Sequence, residues 1–164
     1  MTTIINTLTL FILFLSRQAL SPASTEDLKT SLLEGEILKM DTLLFEIAFN
    51  QCDATAFKKI ISDDAELYDD RFGLNKPNAN KIKPLPESYE RPQKMTRRLN
   101  CCTIEKLGDF GAIQVGEHTF FSNGIPETTG NFIHIWERND TEWKLKRIVN
   151  YGYKSYKNHH LPGA

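Results

Sequence analysis

Cysteine is scarce in this sequence: Cys52, Cys101 and Cys102 are the only three among 164 residues. An odd count leaves at least one thiol unpaired within the chain. Adjacent residues on a strand point to opposite faces, so Cys101 and Cys102 do not suit a bond to each other. A bridge from Cys52 to one of them and buried free thiols are the two states left open. No cysteine or histidine spacing suits a metal, and His159 and His160 lie in a polar tail. Excess charge of either sign is also missing, with 20 basic and 21 acidic residues and a net charge of -1. That balance gives no reason to expect nucleic acid, which favours a basic surface. Lys76, Lys81, Lys83, Lys94, Arg97 and Arg98 share one polar stretch, but acidic and proline residues interrupt it. It reads as a solvated loop. A phosphate-cradling glycine loop is absent, and no glycine-framed elbow surrounds Ser122 or Ser155.

Long hydrophobic runs are confined to the start. Ile4 to Leu15 is almost wholly apolar, but about a dozen residues fall short of the ~20 that span a bilayer as a helix. The run suits the apolar part of a secretory signal, with Ser21 and Ala23 as the small residues before a cut. No Lys or Arg precedes it, and Arg17 follows it. Residues 1–23 are therefore expected to be a signal peptide, and residues 24–164 one domain exported to the periplasm or secreted, with no membrane attachment after cleavage; the alternatives are an uncleaved anchor or a mis-called start, and a cytoplasmic protein if the segment is not a signal. No cysteine near the cut offers a lipid anchor.

What remains is strongly patterned. Leu33, Ile37, Met40, Leu44, Ile47 and Gln51 recur at alternating steps of four and three, widened by Leu43, Phe45 and Ala48. That spacing predicts one amphipathic helix from Thr25 to about Gln51, capped by Ser24 or Thr25 with Glu26 and Asp27 in its first turn. Asp53 reads as the cap of a short helix, Ala54 to Ile61, which Ser62-Asp63-Asp64 breaks. Ala65 to Asp70 reads as a strand, ended by Phe72-Gly73. Pro77, Pro84, Pro86 and Pro92 make residues 74–94 irregular, with room for a helical turn around Glu87 to Met95. Strands are expected at Arg98–Leu107, Phe110–Phe121, Gly130–Arg138 and Glu142–Tyr153. The turns between them are Gly108-Asp109, Asn123-Gly124 and Asn139-Asp140, giving an antiparallel meander. Helices first and strands later make an α+β domain with its helices on one sheet face.

Three blocks carry a resemblance to a known family. The first is Met40-Asp41-Thr42-Leu43-Leu44-Phe45 with Asn50, Asp53, Ala65-Glu66-Leu67-Tyr68-Asp69-Asp70 and Gly73-Leu74. The second is Phe110 to His118, and the third Phe132-Ile133-His134-Ile135-Trp136 with Trp143 to Tyr151. In this order they resemble the nuclear transport factor 2-like superfamily, most of all its bacterial DUF4440 and SnoaL-like members, over residues 28–153. The resemblance implies a cone-shaped, cystatin-like α+β fold, with a long N-terminal helix on a curled antiparallel sheet. It also implies a cavity between helix and sheet, and a homodimer through the sheet. It does not imply one activity, because this fold hosts isomerases, hydrolases, dehydratases and binding domains. Similar sequences tend to carry His-Asp where this chain has Asp69-Asp70, and Tyr-Asp-His where it has Tyr151-Gly152-Tyr153. Both departures count against inherited acid–base chemistry.

The candidate residues follow from that cavity. Phe45, Phe49, Tyr68, Phe72, Trp136 and Tyr151 supply apolar or hydrogen-bonding wall, with Asp41 and His118 as polar contacts. Asp70 and His134 are the candidates for a general base, with Tyr68 or Tyr151 as donor. The bland reading of Asp70 is a solvated strand end, and of His134 a hydrogen-bonded core residue. Three functions are carried forward. The first is a non-catalytic domain binding a small hydrophobic ligand. The second is a small isomerase or dehydratase using Asp70 or His134. The third is a protein-interaction module. No cofactor or metal is expected.

Overall fold

The computed structural model describes residues 24–75 and 95–156. The expected signal peptide, the proline-rich residues 76–94 and the turn expected at Glu87–Met95 (Met95 apart) lie outside them. Helix α1 (Thr25–Thr42) starts at a reciprocal cap: Asp27 N–H donates to Ser24 Oγ at 3.1 Å, and Ser24 N–H donates to the Asp27 carboxylate at 3.0 Å. The helix does not run regularly to residue 51. From Leu43 to Phe49 it widens into a π-helical segment, closed by Asn50 N–H donating to Phe45 O at 2.7 Å. The wider turn rotates the buried face. Leu44, Ala48 and Phe49 are buried, whereas Ile47 is half-buried and Gln51 exposed. The regular four–three spacing therefore predicts the wrong inward residues beyond Leu44.

Asp53 caps α2 (Ala54–Ile60), accepting from the N–H groups of Thr55 and Ala56 at 2.9 Å each. Ile61 already belongs to strand β1 (Ile61–Asp69). Ser62-Asp63-Asp64 does not interrupt that strand. Register shifts there between Ile61 and Glu66, and Lys146 meets the Asp64 carboxylate at 2.8 Å. A turn through Arg71 and Phe72 leads to the short β2 (Gly73–Asn75). The meander follows as β3 (Met95–Leu107), β4 (Gly111–Ser122), β5 (Ile125–Asn139) and β6 (Glu142–Ser155). β5 begins five residues earlier than expected, because Asn123 and Gly124 both take positive φ and return the chain in two residues.

The six strands form one sheet in the order β2-β1-β6-β5-β4-β3. All neighbours are antiparallel except β1 and β6, which run parallel. Register shifts at Leu99/Cys101, Phe120/Phe121, Thr129/Asn131 and Ile135/Trp136 bend the long strands. The helices pack on the face so formed. Ile37, Leu44, Phe57, Ile104, Trp136 and Leu145 are among the large members of the shared core. All three cysteines are free, which removes the Cys52 bridge. Nor are they buried: Cys52 and Cys101 are exposed and Cys102 is half-buried. Among the described residues no helix is long and apolar enough to cross a membrane, and no cluster of three metal-ligating side chains forms.

Candidate functional site

A cavity of about 360 Å³ lies between the π-helical segment and the inner sheet face. Leu44, Phe45 and Phe49 form its helical wall, and Phe57 of α2 closes one side. His118 and Phe120 come from β4, His134 from β5, and Leu145, Ile148, Asn150 and Tyr153 from β6. Asp69, Arg71 and Phe72, at the end of β1, also line it. The aromatic rings meet one another: Phe45 stacks on His134 at 5.8 Å, and His118 lies 5.1 Å from Phe132 and 4.6 Å from Phe120. Gly130 makes room for this arrangement, because a Cβ there would stand 2.8 Å from the Tyr153 ring.

A buried polar chain supports the cavity. Arg97 donates from both terminal nitrogens to Asp41, at 2.7 and 3.2 Å. Asp41 is 4% and Arg97 2% exposed, so this is an ion pair out of water. Burial pulls the Arg97 pKa down, against the opposing pull of Asp41. The guanidinium also lies 3.8 Å from the Phe45 ring centre, a cation–π contact. Asn50, just past the π segment, brackets the Arg97 backbone. It accepts from Arg97 N–H at 2.7 Å and donates to Arg97 O at 3.0 Å. Gln114 extends the chain: its amide nitrogen donates to Asp41 at 3.1 Å, and its oxygen accepts from Trp136 Nε1 at 3.0 Å.

These contacts assign the histidine protons. Gln114 Oε1 can only accept, so His134 Nδ1, 3.4 Å away, carries the hydrogen and its Nε2 bears the lone pair. Arg97 Nε can only donate, so His118 Nδ1, 3.5 Å away, is the acceptor and its Nε2 carries the hydrogen. Burial, helped by the Arg97 charge, pushes the His118 pKa down to about 3 and the His134 pKa well below 6.5. Both rings are neutral at pH 7 and are weak bases. His118 Nε2 is buried with no partner among the described residues, and so is Asn150 Oδ1.

At the end of β1 a second ion pair is half in water. Arg71 Nε and Nη2 each donate to Asp69 at 3.1 Å, and Arg71 lies 3.5 Å over the Tyr153 ring. Burial raises the Asp69 pKa, but the Arg71 and Tyr153 hydrogen bonds outweigh it and hold the carboxyl below its ordinary range. Burial and the nearby carboxylates keep the Tyr153 hydroxyl protonated, against the pull of Arg71.

Of the residues singled out from the sequence, Phe45, Phe49, Phe72, His118 and His134 line the cavity. The others stand elsewhere. Asp70 is exposed, accepting from Gly152 N–H at 2.6 Å. Strand alternation puts Asp69, not Asp70, on the inner face with Ala65 and Leu67. Tyr68 and Tyr151 are exposed, Tyr68 donating to Glu66 at 2.7 Å. Trp136 is fully buried and serves Gln114. Asp41, expected as a polar contact of the cavity, is instead buried against Arg97, which the sequence reading assigned to a solvated loop. Gln114 was also missed, although it shares a face with Ala112 and His118 at strand spacing.

These features define an α+β domain with the cystatin-like, nuclear transport factor 2-like fold. No family model matches the chain, and no curated protein sequence matches it. Solved structures do. A hexachlorocyclohexane dehydrochlorinase from Novosphingobium barchaimii superposes with a TM-score of 0.64 at 15% identity, covering 84% of this chain and 99% of that one. A protein with a cystatin-like fold from Novosphingobium aromaticivorans gives 0.62 at 17% identity, over 79% and 90%. A nuclear transport factor 2-like protein from Salmonella enterica gives 0.57 at 18%, over 82% and 99%. At these identities the likeness is one of fold.

Proposed function

We propose that this chain is a binding domain for a small, uncharged, largely aromatic or apolar molecule, held in the cavity without turnover. The observation that carries this reading is an aromatic cavity whose two histidines are held neutral. At about 360 Å³ it sits at the low end of small-molecule sites, which run from about 300 to 1,000 Å³. Each inward carboxylate already has its arginine: Asp41 has Arg97, and Asp69 has Arg71. Among the described residues the one carboxylate lining the cavity without an arginine, Glu127, is exposed at its edge, and His134 has too little proton affinity to act as an efficient base. The dehydrochlorinase of similar fold is named for an uncharged, apolar substrate, which fits a cavity of this character.

The test is thermal unfolding against a panel of small uncharged aromatics. Ligand at a hundredfold its Kd stabilises by about 2.7 kcal/mol, a rise of several degrees for a domain of this size. Ile148→Trp, which fills the cavity, should abolish the rise. A flat response across the panel in the native protein would overturn the reading. The expected homodimer also has an observation in its favour. Ile113, Val115, Ile133, Ile135 and Val149 stand in cross-strand register on the outer sheet face. For export, a cut after Ala23 would begin the mature chain at Ser24, keeping the α1 cap. Mass spectrometry of protein recovered from an exporting host reads that terminus directly.

A further inference from the structure

Two residues that line the cavity each carry a polar side-chain atom buried without a partner among the described residues, and the two atoms are of opposite kind. His118 Nε2 is a donor, because its Nδ1 faces the Arg97 N–H. Asn150 Oδ1 is an acceptor. A buried polar atom left unmade is expensive, and the cost disappears when a partner of the right kind arrives. His118 stands on β4, paired with Gly130, and Asn150 on β6, paired with Phe132. Two strand spacings, about 10 Å across the sheet, and a further offset of two residues along the strands separate their backbones, with Phe132 between them and its ring stacked on His118. Groups so placed address opposite ends of one flat molecule lying across the sheet.

We infer that the cavity selects a neutral, para-substituted aromatic molecule with a hydrogen-bond acceptor at one end, met by His118 Nε2–H, and a donor at the other, met by Asn150 Oδ1. This rests on the binding reading above and specifies its ligand class. The surrounding charges agree with neutrality. Arg97 and Arg71 are each paired with a carboxylate, and the remaining charged residue lining the cavity, Glu127, is acidic and exposed. An anion entering here would find no unpaired cation among the described residues that line the cavity. A fully apolar molecule would leave both orphaned groups cut off from water.

The experiment is calorimetric titration of the full domain with a matched set. The set comprises 4-hydroxyacetophenone (acceptor and donor), 4-methylacetophenone (acceptor only), 4-ethylphenol (donor only), 4-ethyltoluene (neither) and the anion 4-hydroxybenzoate. Each matched group should tighten binding about tenfold, equivalent to about 1.4 kcal/mol, so 4-hydroxyacetophenone should lead 4-ethyltoluene by about a hundredfold. Asn150→Leu should remove the advantage of the phenol hydroxyl and leave that of the carbonyl. It should also raise the stability of the empty protein, which a purely structural asparagine would not do. His118→Phe should remove the carbonyl advantage. Should that variant fail to fold, Asn150→Leu alone still decides the donor half, and the wild-type series decides the acceptor half. Equal binding of all four neutral probes overturns this inference and leaves the binding reading standing. So does tightest binding by 4-hydroxybenzoate, which would shift recognition to Arg71. Binding by none of the five overturns both.

Discussion

At the scale of single residues the most consequential contact is the one between Arg97 and Asp41. Both groups have left water, so removing one strands the other. Arg97→Met should destabilise the fold by about 3–5 kcal/mol, whereas Asp41→Leu with Arg97→Met should recover most of that loss. Urea unfolding measures both, and a single-variant loss under about 1 kcal/mol would show the pair to be hydrated. The buried histidines set a pH dependence of definite sign. His118 takes up a proton near pH 6.5 when unfolded but only near pH 3 when folded, so its contribution is complete above pH 6.5 and falls as the pH drops. The slope is at most about 1.4 kcal/mol per pH unit for each such group, and His134 adds in the same direction. Asp69 also has a lowered pKa, but its contribution fades only below about pH 4. Unfolding free energies at pH 7 and pH 5 therefore isolate the histidines, and His118→Phe should shrink the difference to the part that His134 contributes. These residues were unevenly legible. Asp69 was readable from its spacing to Ala65 and Leu67. Arg97 was not, because the shift at Leu99/Cys101 breaks the alternation linking it to the apolar Ile104.

At the scale of elements, the helix and strand content could be read from periodicity, while its irregularities could not. Leu33 to Leu44 follows a regular helical stripe, and nothing in residues 43–49 announces the wider turn that swings Phe49 inward. Spacing gives the period of a helix, but tertiary packing chooses where to add a residue to a turn. Strand ends were similarly under-read: β5 gained Ile125 to Thr129 because pairing with β4 continues through polar residues. Close packing between strands gives one sharp expectation. A Cβ at Gly116 would collide with the Cys101 carbonyl oxygen and crowd the Phe132 ring, leaving only backbone movement as relief. Gly116→Ala should lower stability by about 1–3 kcal/mol, with a matching fall in thermal midpoint. A neutral result would mean that β3 and β4 can separate there at little cost.

At the scale of the whole molecule, the α+β class and the meander were legible because four strands joined by short turns leave few arrangements. The parallel pairing of β1 with β6 was not, since no local pattern encodes which distant strand a segment meets. If the outer sheet face joins two copies, Val115→Lys with Ile133→Glu should convert a dimer of about twice the 18.8 kDa chain mass to a monomer in sedimentation equilibrium. A native chain that is monomeric at high concentration would sink that assignment. The β1–β6 junction also has a kinetic meaning. Its partners, such as Leu67 and Ile148, lie more than 80 positions apart, whereas β3 to β6 join through two- or three-residue links. Loop closure is slow to be repaid over such a span, so the meander should assemble before β1 docks. The last segment to arrive carries Asp69, Arg71 and Phe72. Amide exchange should accordingly run faster in β1 than in β4 and β5, and if the cavity holds the proposed ligand, detachment of this one arm is the route by which that ligand enters and leaves.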